Sequence, residues 1–240
     1  MDYSLQLYSV RDFTEKDLAD ALRRVAELGY KAVEFAGFFG HSAEEVRAML
    51  DGYGLAVSGT HSSLEDLDRD FAGTVRYHHT IGNKNYILPG APWGTAAELD
   101  DTVRKLDEYA PRLAAEGIRL AYHNHDGEYL PNADGQIAHD IMEQRTSVDF
   151  EIDTYWAFVA GRDPLAELER LRDRVHVIHL KDGTRQREGR ALGEGAAPVA
   201  AVRATAIELG MRIVVESEGL QPDGMAEVGR CIRYLRTLEK

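Results

Sequence analysis

The stretch Glu116-Gly117-Ile118-Arg119-Leu120-Ala121-Tyr122-His123-Asn124-His125-Asp126-Gly127-Glu128 holds one complete structural unit and its chemistry. A helical pattern over Ala97–Glu116 closes on Gly117, as helices often do at a glycine. An apolar run follows at once and reads as a strand. Side chains alternate faces along a strand, so Ala121, His123 and His125 point one way and Leu120, Tyr122 and Asn124 the other. Two imidazoles therefore share a face at the carboxyl end of a strand, where parallel α/β folds place their chemistry.

The same unit recurs along the chain. Strands are expected at Leu5–Ser9, Ala32–Phe35, Ala56–Thr60, Asn85–Leu88, Arg119–His123, Val148–Asp153, His176–His179 and Arg212–Glu216. Helical patterns between them include Lys16–Leu28, Ala43–Tyr53, Ala97–Glu116, Pro164–Arg172 and Pro198–Leu209. Several close on glycine: Leu28-Gly29, Tyr53-Gly54, Glu116-Gly117 and Leu209-Gly210. Eight strand-then-helix units with short connections imply a parallel sheet covered by helices. Eight units in 240 residues point to a closed (β/α)8 TIM barrel, a single domain over 1–240, rather than an open sheet. No glycine-rich phosphate loop follows the first strand, which weakens a dinucleotide-binding reading. The segment from Lys181 to Pro198 is the longest irregular stretch after a strand and is expected to be an active-site loop, with Glu194 near the site.

Composition narrows the partners. A 44% apolar fraction suits a folded globule, and 41 acidic against 28 basic residues give a net charge of −13. That balance disfavours nucleic acid and anionic membranes, which demand clustered Lys and Arg. The single cysteine, Cys231, allows no intrachain disulfide. No apolar run is long enough for a membrane span. Met1–Tyr8 lacks the basic start and apolar stretch of a signal peptide, so a cytoplasmic location is expected.

The strand ends gather ionisable groups. The later strands finish in His123 and His125, in Glu151-Ile152-Asp153, in His179-Leu180-Lys181-Asp182, and in Glu216-Ser217-Glu218. All converge on one mouth of a barrel. Imidazole and carboxylate together suit Mn²⁺, Co²⁺, Zn²⁺ or Fe²⁺, and without cysteine a thiolate site is out. The candidate ligands of one divalent metal ion are His123, Asp153, His179 and Glu216. On spacing alone, His125 is an alternative to His123. Gln6, Glu34, His61 and Trp156 lie at or beside strand ends and are candidates for binding substrate. Arg11 is a weaker one.

The chain resembles the xylose isomerase-like (sugar phosphate isomerase/epimerase) TIM barrel superfamily, most of all the branch that includes inosose dehydratases. The resemblance is carried by Gln6-Leu7-Tyr8-Ser9-Val10-Arg11-Asp12, Tyr122-His123-Asn124-His125-Asp126, Glu151-Ile152-Asp153-Thr154-Tyr155-Trp156, His179-Leu180-Lys181-Asp182-Gly183 and Val214-Val215-Glu216. It implies one divalent ion (Mn²⁺, Co²⁺, Zn²⁺, Fe²⁺ or Mg²⁺) held by Glu, Asp, His and Glu from strands five to eight. Asp153, His179 and Glu216 match that order, whereas His123 stands where many epimerases have Glu. A metal-bound imidazole nitrogen cannot act as a base, so a symmetric two-glutamate epimerase mechanism is not expected.

The chemistry the resemblance implies is proton abstraction next to the carbonyl of a keto-sugar or keto-cyclitol through a metal-stabilised enediolate. Glu216 is the first candidate base. Lys181 would neutralise enolate charge. His125 or Glu128 would supply the second proton-transfer group. Isomerisation or epimerisation follows if the proton returns. Loss of a β-hydroxyl or β-glycosyl group on the same site would make the protein a dehydratase or lyase. An endonuclease IV-like repair enzyme and a sugar-binding barrel without catalysis are the remaining readings. The expected partner is a small sugar or cyclitol, with neither nucleic acid nor membrane, and a homo-oligomer is left open.

Overall fold

The computed structural model describes residues 1–239. Eight parallel strands close into a barrel: β1 (Ser4–Gln6), β2 (Ala32–Ala36), β3 (Ala56–His61), β4 (Asn85–Leu88), β5 (Arg119–His123), β6 (Asp149–Asp153), β7 (Val175–Leu180) and, after an inserted ribbon, β10 (Arg212–Val215). The ribbon pairs β8 (Asp182–Gly183) antiparallel with β9 (Gly189–Arg190). Barrel neighbours run in chain order, and β10 closes the ring against β1 through Ser4↔Val214 and Leu5↔Val215.

Local sequence accounts for the elements. Ser42 and Thr95 cap the helices Ala43–Tyr53 and Ala96–Ala115 by accepting from the backbone of Glu45 and Glu98, whose side chains bond back to the cap backbone. Gly29, Gly54 and Gly82 end their helices in the left-handed conformation. The first strand is shorter than its apolar run. Gln6 accepts from the backbone N–H of Tyr8, and this turns Leu7–Val10 into a 3₁₀ helix. The segment from Lys181 to Pro198 is more ordered than its composition implies. The Asp182 carboxylate accepts from the N–H groups of Gly183, Gly193, Gly195 and Ala197 at 2.8–3.0 Å and gathers the loop around one side chain.

Alternation along the strands splits the core in two. Leu5, Val33, Phe35, Tyr86, Leu120, Phe150, Ile152, Ile178 and Val215 belong to the continuous apolar layer between barrel and helices. Ile87, Ala121, Val177 and Val214 are buried but stand apart from that layer, inside the barrel. Above them the interior turns polar: Gln6, Glu34, His123, Glu151, Asp153 and His179 are all buried. Buried charges persist only where they find partners, so this layer marks the site. No described helix is long and apolar enough to cross a membrane.

Candidate active site and metal centre

Two groups of ligand-type side chains occupy the carboxyl end of the barrel and share His179: Asp153, His179 and Glu216 above, and His61, His123, Glu151 and His179 in the floor. A third group, His139, Asp140 and Glu143, lies on the helix Ala138–Arg145, where Asp140 pairs with Arg162 and Glu143 with Arg170.

Asp153 ends β6, and its position is fixed from both sides. The Asn124 side chain, just past β5, accepts from Asp153 N–H at 3.0 Å and donates to Asp153 C=O at 3.3 Å. Asp153 Oδ1 caps the helix Thr154–Val159, accepting from Tyr155 and Trp156 N–H at 2.9 Å each. Its other oxygen, Oδ2, is buried with no hydrogen-bond partner and lies 3.9 Å from His179 Nδ1 and 4.0 Å from Lys181 Nζ. His179 Nδ1 sits 3.2 Å from Glu216 Oε2, while its Nε2 reaches Glu34 Oε1 at 2.7 Å. A second carboxylate on the far nitrogen orients the ring, and Nδ1 would take up a cation on giving up its proton. Gln6 donates to the same Glu34 oxygen at 2.8 Å.

Lys181 is fully buried and contributes the only lysine ammonium of the described site. Its Nζ lies 2.9 Å from Glu218 and 3.3 Å from Glu216, and 4.6 Å from the Trp156 ring centre. Burial opposes the charge of Glu216, but Lys181 and His179 outweigh it and hold the carboxyl well below its usual range. For Asp153 burial wins over the same lysine and pushes it up to about 6. Burial and the neighbouring Glu34 push Glu151 up to about 7. Burial works against charge on His61, yet Glu34 and Glu151 lift it to about 9. His123 is driven well below the ordinary imidazole value by burial and by the cationic rings of His179 and His61.

A cavity of about 360 Å³ opens above these groups, lined by Tyr8, Ala36, His61, Pro89, His123, His125, Glu216 and Glu218. Its size suits a small ligand. Its rim is held by two neighbours: Arg187 of the long loop pairs with Asp126 after β5, and Arg11 donates to the backbone oxygens of Tyr8 and Glu218.

The structure sorts the sequence-derived candidates by depth. Asp153, His179 and Glu216 come together as a set. His123 lies outside that set, with its Nδ1 3.2 Å from Glu151. His125 is at the cavity with 46% of its side chain exposed. Glu128 is tied to the Tyr122 hydroxyl and the His125 N–H, which makes it a support for that turn. Gln6 and Glu34 are fully buried beside the floor group, off the cavity lining, with Glu34 Oε1 3.2 Å from His61 Nε2. Trp156 backs Lys181 and stands 6.0 Å, ring to ring, from His125. Glu194 pairs with Arg230 away from the cavity. Sequence reasoning passed over Glu151 as a site group, although alternation puts it on the same face as Asp153 two residues on. It also passed over the loop-organising carboxylates Asp182 and Glu227, the latter accepting from Ser217, Gly219 and Gln221 behind β10.

Three donors, one nitrogen and two oxygens, suit a borderline or hard divalent cation. The unpartnered Asp153 Oδ2 is an acceptor such an ion would satisfy. A closed β/α barrel with this constellation at its carboxyl mouth defines a TIM-barrel protein with a candidate metal centre. Residues 22–238 match the model of the xylose isomerase-like TIM barrel family, and the chain belongs to that family. It is 27% identical over 186 residues to an inosose dehydratase of Geobacillus kaustophilus, a match covering 67% of this chain and 60% of that protein's length. Among solved structures it superposes on a sugar phosphate isomerase/epimerase from Parabacteroides distasonis with a TM-score of 0.84 at 22% identity, covering 98% and 93% of the two chains. A D-psicose 3-epimerase from Clostridium cellulolyticum, solved with D-tagatose, superposes at 0.76 with 12% identity and 99% coverage of both chains. At these identities the superpositions establish the fold.

Proposed function

We propose that this protein is a divalent-metal-dependent enzyme that removes the proton next to the carbonyl of a keto-sugar or keto-cyclitol. The observation that carries the reading is the convergence of buried Asp153, His179 and Glu216 beside Lys181, with Asp153 Oδ2 left unpaired. Those three residues would hold the ion, which supplies Lewis-acid polarisation of a substrate oxygen.

The chain's own groups supply the rest. Glu216 sits at the cavity edge and is kept ionised, so it is ready to accept a proton. Its pairing with Lys181 weakens it as a base. As charge develops on a substrate oxygen, the Lys181 ammonium turns from Glu216 toward that oxygen. The same motion stabilises the product anion and raises the basicity of Glu216. His125 faces the same cavity from the turn after β5, with β6 and β7 between it and β10 along the barrel wall. It is the group to return a proton or to protonate a leaving hydroxyl. Gln6 and Glu34 hold the His179 ring, and Asn124 holds Asp153.

A second outcome on this site is dehydration. His125 favours it: an accessible imidazole faces the cavity from the turn after β5, and imidazole serves well as a general acid near neutral pH. The similarity to an inosose dehydratase supports the same outcome. Metal analysis of the wild type and of Asp153→Ala/His179→Ala tests the reading. The wild type retains one more divalent ion per chain after desalting than the double variant does. Equal metal content in the two proteins would refute it.

A further inference from the structure

We propose that His61, His123 and Glu151 form a second divalent-cation site in the barrel floor, beneath the Asp153–His179–Glu216 group and independent of which reaction that group serves. Glu151 Oε2 lies 2.9 Å from His61 Nε2, 3.2 Å from His123 Nδ1 and 3.3 Å from His179 Nε2. Three imidazole nitrogens thus crowd one carboxylate oxygen, which has only two lone pairs to offer. The three rings also crowd each other, with centres 4.6–5.3 Å apart.

An ion explains the spacing. Metal–nitrogen and metal–oxygen bonds of about 2.0–2.2 Å at octahedral to tetrahedral angles put neighbouring donors about 2.8–3.6 Å apart, which brackets the distances around Glu151. A second observation points the same way. Glu151 is fully buried and its other oxygen, Oε1, has no hydrogen-bond partner. Buried carboxylate oxygens without partners are costly, and chelation by both oxygens removes the cost. His179 is not needed as a ligand here. Its Nε2 lies 2.7 Å from Glu34 Oε1, closer than the 3.2 Å from that oxygen to His61 Nε2, so His179 stays with Glu34 and two imidazoles and one carboxylate complete the set. That donor set leaves open positions and suits Fe²⁺, Co²⁺ or Zn²⁺ over Mg²⁺ or Ca²⁺. Access is from above, because His61 and His123 both line the cavity.

The test is Co²⁺ stoichiometry in chelator-stripped protein, by equilibrium dialysis with metal analysis and by the visible Co²⁺ spectrum. Wild type binds two ions per chain, Asp153→Asn/Glu216→Gln binds one, and Glu151→Gln or His61→Asn weakens one of the two sites at least about tenfold. Having two floor variants guards against one that does not fold. If wild type binds one ion and Asp153→Asn/Glu216→Gln abolishes it, the floor site is refuted while the proposed function stands. If one ion is lost with Glu151→Gln and retained in Asp153→Asn/Glu216→Gln, the floor site stands and the upper centre is refuted.

Discussion

Replacing Lys181 by methionine isolates the electrostatics of the upper group. Methionine keeps an unbranched stem against Trp156 and Tyr155 and removes the ammonium that lies within 4.0 Å of Glu218, Glu216 and Asp153. Removing one partner of a buried ion pair costs about 3–5 kcal/mol. Here the cost falls at the lower end, about 3 kcal/mol, because Glu216 keeps His179, Asp153 keeps two backbone N–H donors, and Glu218, with 29% of its side chain exposed, can turn to water. At about 2–4 °C per kcal/mol for a chain of this size, the metal-free variant melts about 6–12 °C below the metal-free wild type. Saturating Mn²⁺ should then narrow the gap, because an ion on Asp153, His179 and Glu216 replaces the missing charge. The variant should also bind Mn²⁺ more tightly than wild type, having lost the ammonium that competes for the same oxygens. Thermal melts with and without Mn²⁺, together with a calorimetric titration, measure both effects. An unchanged melting temperature, or weaker Mn²⁺ binding by the variant, would refute the reasoning.

Metal-free wild type should lose stability as pH rises from about 6.5 to 9, since folding lifts His61 from 6.5 to about 9 and raises His179 in the same direction, while the buried His78, His123 and His139, whose folding shifts are downward, are neutral in both states over that window. The folded chain then holds protons that the unfolded chain has released; for His61 the loss is roughly 3 kcal/mol, complete above pH 9 and absent below 6.5. A melting temperature that rises over that window would contradict it. A Cβ at Gly59 would lie 2.6 Å from both Glu34 Oε2 and Ile87 Cδ1, so Gly59→Ala should cost about 1–3 kcal/mol and weaken metal binding through the displaced Glu34–His179 pair; Gly52→Ala, where a Cβ meets nothing within 4 Å, should leave metal binding unchanged. Asp182→Ala unties four backbone N–H groups and should make the loop between 183 and 198 the first site of limited proteolysis, with a cut pattern identical to wild type as the opposing result.

The repeating unit was legible because local physics marks both of its ends. A glycine in the left-handed region closes a helix such as Leu18–Leu28, and an apolar run begins the next strand. Asp153, His179 and Glu216 were legible for the same reason, since each falls where an apolar run gives way to polar residues. Depth was not legible. Gln6 and Glu34 carry the same strand-end signature as Glu216, yet they are fully buried and do not line the cavity, because the stagger of neighbouring strands sets height in a barrel. Register shifts at Val33/Glu34 in β2–β3 and at Phe150/Glu151 in β6–β7 add to this. These irregularities place two interior carboxylates beside imidazoles from other strands, a pairing no local window contains. The order of the 181–198 loop was hidden likewise, because it rests on one aspartate bonding to backbone up to 15 residues away.

Hydrogen exchange into substrate tests the central claim most directly. In deuterated water with Mn²⁺ or Co²⁺, proton NMR on a panel of keto-sugars and inosose should show loss of the signal next to the carbonyl of at least one compound. Glu216→Gln should abolish that loss while the protein stays folded. Deuterium uptake that persists at the wild-type rate in Glu216→Gln or in the chelated protein, or no uptake with any compound, would contradict the account.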